Sequence, residues 1–208
     1  MTRDRSRDVF INCPFDSEYK PTFRAICFTV LACGFYPRCA LERVDSGDIR
    51  YLKICDLIRH SPFGIHDISR PELSSHSNLP RFNMPFELGL YLGAREFGDS
   101  DQQRKDFLVL EAKKGRSVKA CTDLGGVDPL CHLGDPKRAT VHVRDWLNGR
   151  SGGGLAGPKQ IKQDYESFRA DLPGILKIWQ VKLIELTFAD FRKAASTWLR
   201  ARPQDFER

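Results

Sequence analysis

No apolar run in this 208-residue chain approaches the ~20 residues needed to cross a bilayer. The opening "MTRDRSRDVFINC" also lacks the charged, then apolar, then small-residue order of a secretory leader, so a cytoplasmic setting without membrane contact is expected. Seven cysteines (13, 27, 33, 39, 55, 121 and 131) form no paired CxxC spacing, which excludes a zinc knuckle and argues against a disulfide framework. They are expected to pack as small hydrophobes. The five histidines (60, 66, 76, 132 and 142) contain no helical i, i+4 pair, and no resident metal or cofactor is expected. There is no GxxxxGK[ST] phosphate loop, no GxSxG elbow and no HExxH. The glycines at 152 to 154 do not stand between a strand and a helix of a βαβ unit. A net charge of +6 favours anionic partners, but no dense Lys/Arg run or aromatic-interleaved basic stripe is present, so a nucleic-acid partner is not expected.

What is present is a globular composition, 41% hydrophobic and 29% charged, enough for one core. "DVFINCPF" opens with a β-rich run, Val9 to Ile11, halted at Pro14. Phe23, Ile26, Cys27, Val30 and Leu31 then recur at helical spacing up to a terminating Gly34. "FYPRCAL" reads as a second strand, "IRYLKICDLIRHSP" as a second helix, and "FGIHDIS" as a third strand. The long polar connection "RPELSSHSNLPRFN" is of a kind that often carries function. A helix over 81–94 follows, then "KDFLVLEAKK" as a fourth strand and "ATVHVRDW" as a fifth, with residues 115–138 unassigned. "GRSGGGLAG" is flexible by composition and closes the sheet region. Beyond it, residues 158–179 read as a helix broken at Pro173-Gly174, and 187–201 as an amphipathic helix capped by Thr187. This alternation predicts an α/β, flavodoxin-like, mainly parallel sheet of about five strands spanning 1–150, with a helical extension over 158–208 packed on it.

In such sheets ligands bind beyond the carboxyl ends of the strands, where strand order reverses. Three polar clusters are predicted to meet there: Asn12, Pro14, Phe15 and Asp16 after strand one; His66, Asp67 and Ser69 after strand three; and the start of the helix in "RFNMPFELGLYLGA". That helix carries one acid, Glu87, in an otherwise apolar run, so it is expected to be largely buried. A carboxylate there is costly unless it is paired or opens onto a cleft. With Asn83 as cap and Pro85 in the first turn, the helix dipole favours the negative charge by ~0.3–1 kcal/mol. An acid that stabilises a helix start and an acid held ionised in a pocket both fit.

The order of elements, with "VFINCPFD", "FGIHDIS" and "NMPFELGLYLGA", resembles bacterial TIR (Toll and interleukin receptor) domains of the phage-defence type. The segment "GIHDISRPELSSHSNLPRFNMPFELGLYLGA" is also similar to nucleoside deoxyribosyltransferases. The resemblance covers roughly residues 8 to 145. Both families imply cleavage of an N-glycosidic bond with a glutamate at the position of Glu87, on NAD for the TIR type. The resemblance further implies Phe15 and Phe86 beside a base or ribose, and Asn12, Asp16, Asp67 and Asn83 at ribose hydroxyls. It places Arg43 and Arg50 at the pyrophosphate, and it implies a homo-oligomer or partner protein. "FNMPFE" departs from the Ser or Trp-Cys pattern that often precedes the TIR glutamate. A nucleoside deoxyribosyltransferase or glycosidase, and a non-catalytic TIR-like adaptor, are the alternative expectations. An adaptor gains nothing from the burial cost of Glu87.

Overall fold

β1 (Asp8–Asn12) is buried along its whole length, with Val9 and Ile11 facing one side of a sheet and Phe10 the other. A strand covered on both faces reads as an unbroken apolar run, which is how "VFI" reads in the sequence. The computed structural model describes residues 4–42, 47, 49–70 and 81–201. After β1 come α1 (Lys20–Ala32), β2 (Tyr36–Arg38), α2 (Arg50–Arg59), β3 (Phe63–Asp67) and α3 (Asn83–Phe97). The short α4 (Ser100–Gln103), β4 (Asp106–Glu111), α5 (Arg116–Ala120) and β5 (Leu130–Cys131) complete the sheet, and α6 (Pro136–Arg150), α7 (Pro158–Trp179) and α8 (Phe188–Ala201) follow.

All strand pairs are parallel, in the order β2-β1-β3-β4-β5. This is the flavodoxin-like order, with its switch point between β1 and β3. Register places Asn12 beside His66 at the carboxyl ends of those strands. One face of the sheet is covered by α1 and α6, with α7 and α8 packed outside α1 through Phe28, Tyr165, Phe168 and Trp198. α2 and α3 cover the other face, where Ile54, Leu57 and Ile58 of α2 meet Phe10 and Tyr91. Gly34, at φ +76°, turns the chain out of α1 in a conformation that glycine adopts without strain.

Several local expectations change. "ATVHVRDW" is not a strand: Asp135 caps a helix by accepting from the Lys137 amide at 2.8 Å, Pro136 occupies its first position, and Ala139, Thr140, Val143, Trp146 and Leu147 form its buried stripe. The i, i+3, i+4 spacing outweighs the β-branched residues that suggested a strand. The fifth strand is instead Leu130–Cys131, inside the unassigned segment. α7 runs unbroken through Pro173, which lies on the exposed face, where water can satisfy the carbonyl that proline leaves without a donor. The 149–157 segment is tied down: Arg144 donates to the carbonyls of Leu155 (2.7 Å) and Ala156 (2.8 Å), and Asn148 accepts from the Leu155 amide. Thr187 does cap α8, in a reciprocal box with Asp190.

An ion network ties α8 to the β2 edge. Arg38 bonds Asp8 at 2.7 Å and Glu42 at 2.8 Å, and Arg192 of α8 reaches the same Glu42 at 2.8 Å while stacking over Tyr36.

Candidate active site

At the switch point the chain leaves β1 through Asn12, Cys13, Pro14 and Phe15, and α3 begins opposite at Asn83. Between them opens a cleft of about 240 Å³, walled by those residues together with Met84, Glu87, Arg50 and Arg81. Arg50 is the first residue of α2 and Asn83 the first of α3, and among the described residues no side chain caps either helix start. The starts of α2 and α3 and the Arg50 guanidinium, with Arg81 held in a pair with Asp16, therefore bias the cleft toward anions.

The start of α3 differs from expectation. Phe82, not Asn83, holds the capping position and accepts from the Phe86 amide at 2.9 Å, while Pro85 lies in the first turn as expected. Burial is confined to one stripe, Met84, Glu87, Leu88 and Tyr91; Gly89 and Phe86 are exposed. Glu87 thus sits on the stripe directed at the sheet. It is 7% exposed. No hydrogen bond or ion pair ties it to another described residue. Burial pushes its carboxyl up to about 7, against the opposing charge of Arg50.

Asn12 is buried and donates from Nδ2 to the Met84 carbonyl at 2.8 Å and to His66 Nδ1 at 3.2 Å. His66 is fully buried, away from the cleft wall, its ring edge-on to Tyr91 at 4.9 Å. Burial drives its pKa down to about 3, so it is a neutral core imidazole.

Asp67 is likewise fully buried, and its carboxylate is saturated. It accepts from the Tyr19 hydroxyl, from His132 Nε2 at 2.9 Å and from the Ser69 amide at 2.9 Å. Ser69 Oγ meets the same His132 Nε2 at 3.0 Å, while Nδ1 accepts from the Gly134 amide. Ser, His and Asp are together, yet both partners share one ring nitrogen that carries the proton. The imidazole therefore has no basic nitrogen to offer the serine, and the trio is not a nucleophilic triad.

Asp16 stands behind the wall, paired with Arg81 at 2.7 Å and Arg70 at 3.3 Å. Burial raises its pKa, but the Tyr19 amide and these guanidinium groups outweigh it and hold the carboxyl below its ordinary value. Phe15 lines the cleft and packs edge-on against Phe23. Phe86 lies outside the wall, beside Tyr51 with ring centroids 6.3 Å apart.

Of the predicted site residues, the cleft brings together Asn12, Pro14, Phe15, Asn83 and Glu87, along with Arg50. It leaves Asp16, His66, Asp67, Ser69 and Phe86 behind or beside the wall. Arg43 lies outside the described residues. Cys13, Arg81 and Met84 are additional wall residues. Cys13 stands within the strand-one exit where the sequence places the candidate site, with packing as its expected role. Burial, followed by the charge of Asp67, pushes its thiol well up, so it stays protonated and is no nucleophile. Among the described residues no group of three His, Cys, Asp or Glu side chains is placed to hold a metal, and no helix is long and apolar enough to cross a membrane.

No protein-family model, curated protein or solved structure matches the chain.

Proposed function

We propose that this protein cleaves the N-glycosidic bond between nicotinamide and ribose in NAD, by hydrolysis or by cyclisation to an ADP-ribose-type signal. The observation that carries this reading is Glu87: a single buried carboxyl, unpartnered among the described residues, facing a cleft at the switch point.

Departure of the base builds oxocarbenium-like positive charge on the ribosyl carbon. A carboxylate beside that carbon stabilises the charge or captures the sugar. The nicotinamide ring is cationic before it leaves and neutral afterwards, so no general acid is needed. A carboxyl with a pKa of about 7 loses its proton readily when a pyridinium cation arrives, so binding itself arms the group. Arg50, with the open starts of α2 and α3, suits the pyrophosphate. In the free enzyme the ionised fraction of Glu87 falls about tenfold per pH unit below 7, and kcat/KM is expected to fall with it.

The raised carboxyl pKa also favours a second reading, cleavage of a deoxynucleoside. There the leaving base is neutral, and a protonated Glu87 can donate to it. The resemblance of its short motifs to those of TIR domains supports a cytoplasmic role in bacterial antiviral defence, exercised in an oligomer or with a protein partner.

The test is incubation of purified protein with NAD and, separately, with deoxynucleosides, followed by chromatography of the released base. Nicotinamide release that disappears in Glu87→Gln is the expected result. Release from deoxynucleosides alone selects the second reading. Turnover of neither, with concentrated protein, selects a binding module.

A further inference from the structure

Asn12 and His66 were expected at the substrate, but Asn12 bonds the helix that carries Glu87 and His66 packs its ring against the same helix at Tyr91. Asn12 uses both amide hydrogens, one on the Met84 carbonyl at 2.8 Å and one on His66 Nδ1 at 3.2 Å. With Nδ1 accepting, the imidazole proton resides on Nε2, which has no hydrogen-bond partner among the described residues. That edge of the ring is packed in by Tyr91 and Gly64. A Cβ on Gly64 would come within 2.7 Å of His66 Nε2 and 2.9 Å of the Tyr91 ring. Met84 lies one turn before Glu87 and Tyr91 one turn after it, on the same buried stripe.

We propose that Asn12 and His66 are positioning residues that clamp α3 to the ends of β1 and β3, one turn on either side of Glu87, and thereby hold its carboxyl in the cleft wall. The catalytic consequence rests on the NAD-cleaving reading above; the clamp itself does not.

Packing alone does not account for the pair. Two apolar side chains would fill these positions without burying an amide and an imidazole N–H that has no acceptor. A buried carboxyl without a hydrogen bond tends to relieve its cost by letting its helix tilt toward water. A helix fastened on both sides of the acid denies it that relief. Among the described residues, the charged and titratable groups that line the cleft with Glu87 are Arg50 from α2, Arg81 ahead of α3, and the Cys13 thiol at the exit of β1.

The clamp is tested without substrate. Melting temperatures of each protein and of its Glu87→Gln version are compared from pH 4 to pH 9. For the wild type the difference should open above the ordinary carboxyl value of 4.5 and stop growing at about 7. In Asn12→Leu the helix start is released, so the difference should shrink and stop growing nearer 4.5. His66→Asn, which keeps an acceptor for Asn12 but removes the contact with Tyr91, should give an intermediate shift and serves if Asn12→Leu does not fold. Tyr91→Phe is the control. Its hydroxyl bonds the Pro62 and Asp106 carbonyls away from the clamp, so melting should fall equally at every pH with the difference unchanged. If Asn12→Leu and His66→Asn behave like Tyr91→Phe, the clamp is overturned. On NAD, the Asn12 variant should lower kcat more than it raises KM. If Glu87→Gln releases nicotinamide from NAD as fast as the wild type while the titration still shifts, the catalytic reading fails and the clamp stands.

Discussion

Among the carboxyl groups buried at the carboxyl ends of these strands, Asp67 and Glu87 are treated in opposite ways. Asp67, at the end of β3, accepts from a tyrosine hydroxyl, an imidazole and a backbone amide. Glu87, across the switch point, accepts from no described residue and borders open space. A buried carboxylate that is fully bonded holds a structure together. One left without donors reduces stability, and proteins tolerate that cost where a ligand supplies what is missing. The contrast separates a fastening from a working group more cleanly than burial, which the two share.

Breaking the fastening should have the largest effect. Asp67→Asn removes the charge and replaces one accepting oxygen by an NH2 group, which faces either the Tyr19 and His132 donors on Oδ2 or the Ser69 amide on Oδ1, and should cost about 4 kcal/mol in urea unfolding at neutral pH. Glu87→Gln should act in the opposite direction. The folded-state value of about 7 lies above the unfolded 4.5, so between those values the native protein holds a proton that the unfolded chain has released. Wild-type stability therefore falls as pH rises through this window and is level above it. At pH 8 Glu87→Gln should be more stable than wild type by about 3 kcal/mol, with little difference at pH 4. Equal stability at both pH values would mean that the carboxyl is not buried as described.

Smaller changes sharpen the contrast. Arg50→Gln removes the cation that, among the described residues, opposes the burial of Glu87, so the carboxyl should titrate at higher pH. KM for phosphate-bearing substrates should rise about tenfold, with little change for a free nucleoside. Smallest is Phe86→Ala. Its ring is 57% exposed and outside the cleft wall, so unfolding should shift by less than about 0.5 kcal/mol and KM for NAD by less than about twofold. A large rise in KM would return Phe86 to the substrate.

Elements with a full period of side chains were legible in the sequence: β1, α1, β3, β4 and the stripe of α3. β5 was not, because a strand of two residues, Leu130–Cys131, has no period to read. The β-branched run Thr140 to Val143 misled because its helical spacing only becomes visible together with Trp146 and Leu147. At the site, Asn12, Pro14, Phe15, Asn83 and Glu87 could be found because fold order alone brings strand exits and the α3 start together. The roles of His66 and Asp67 could not. What distinguishes them from ligand contacts is the identity of their partners, and Tyr91, Tyr19 and His132 lie far away in sequence. Arg81 was hidden for the same reason, since its pairing with Asp16 spans 65 residues.

The two outermost strands bear on how copies of this chain can meet. β2 has three residues with Pro37 in the middle, and Arg192 of α8 reaches the Pro37 carbonyl. β5, at the other border, has two residues. A border this short, interrupted by a residue without an amide hydrogen and covered by a cation, offers no template for an additional strand. Both described borders thus disfavour extension of the sheet from one molecule into the next, β2 by its proline and covering cation and β5 by its length. The contacts of an assembly of this protein should be sought first on helix and loop surfaces.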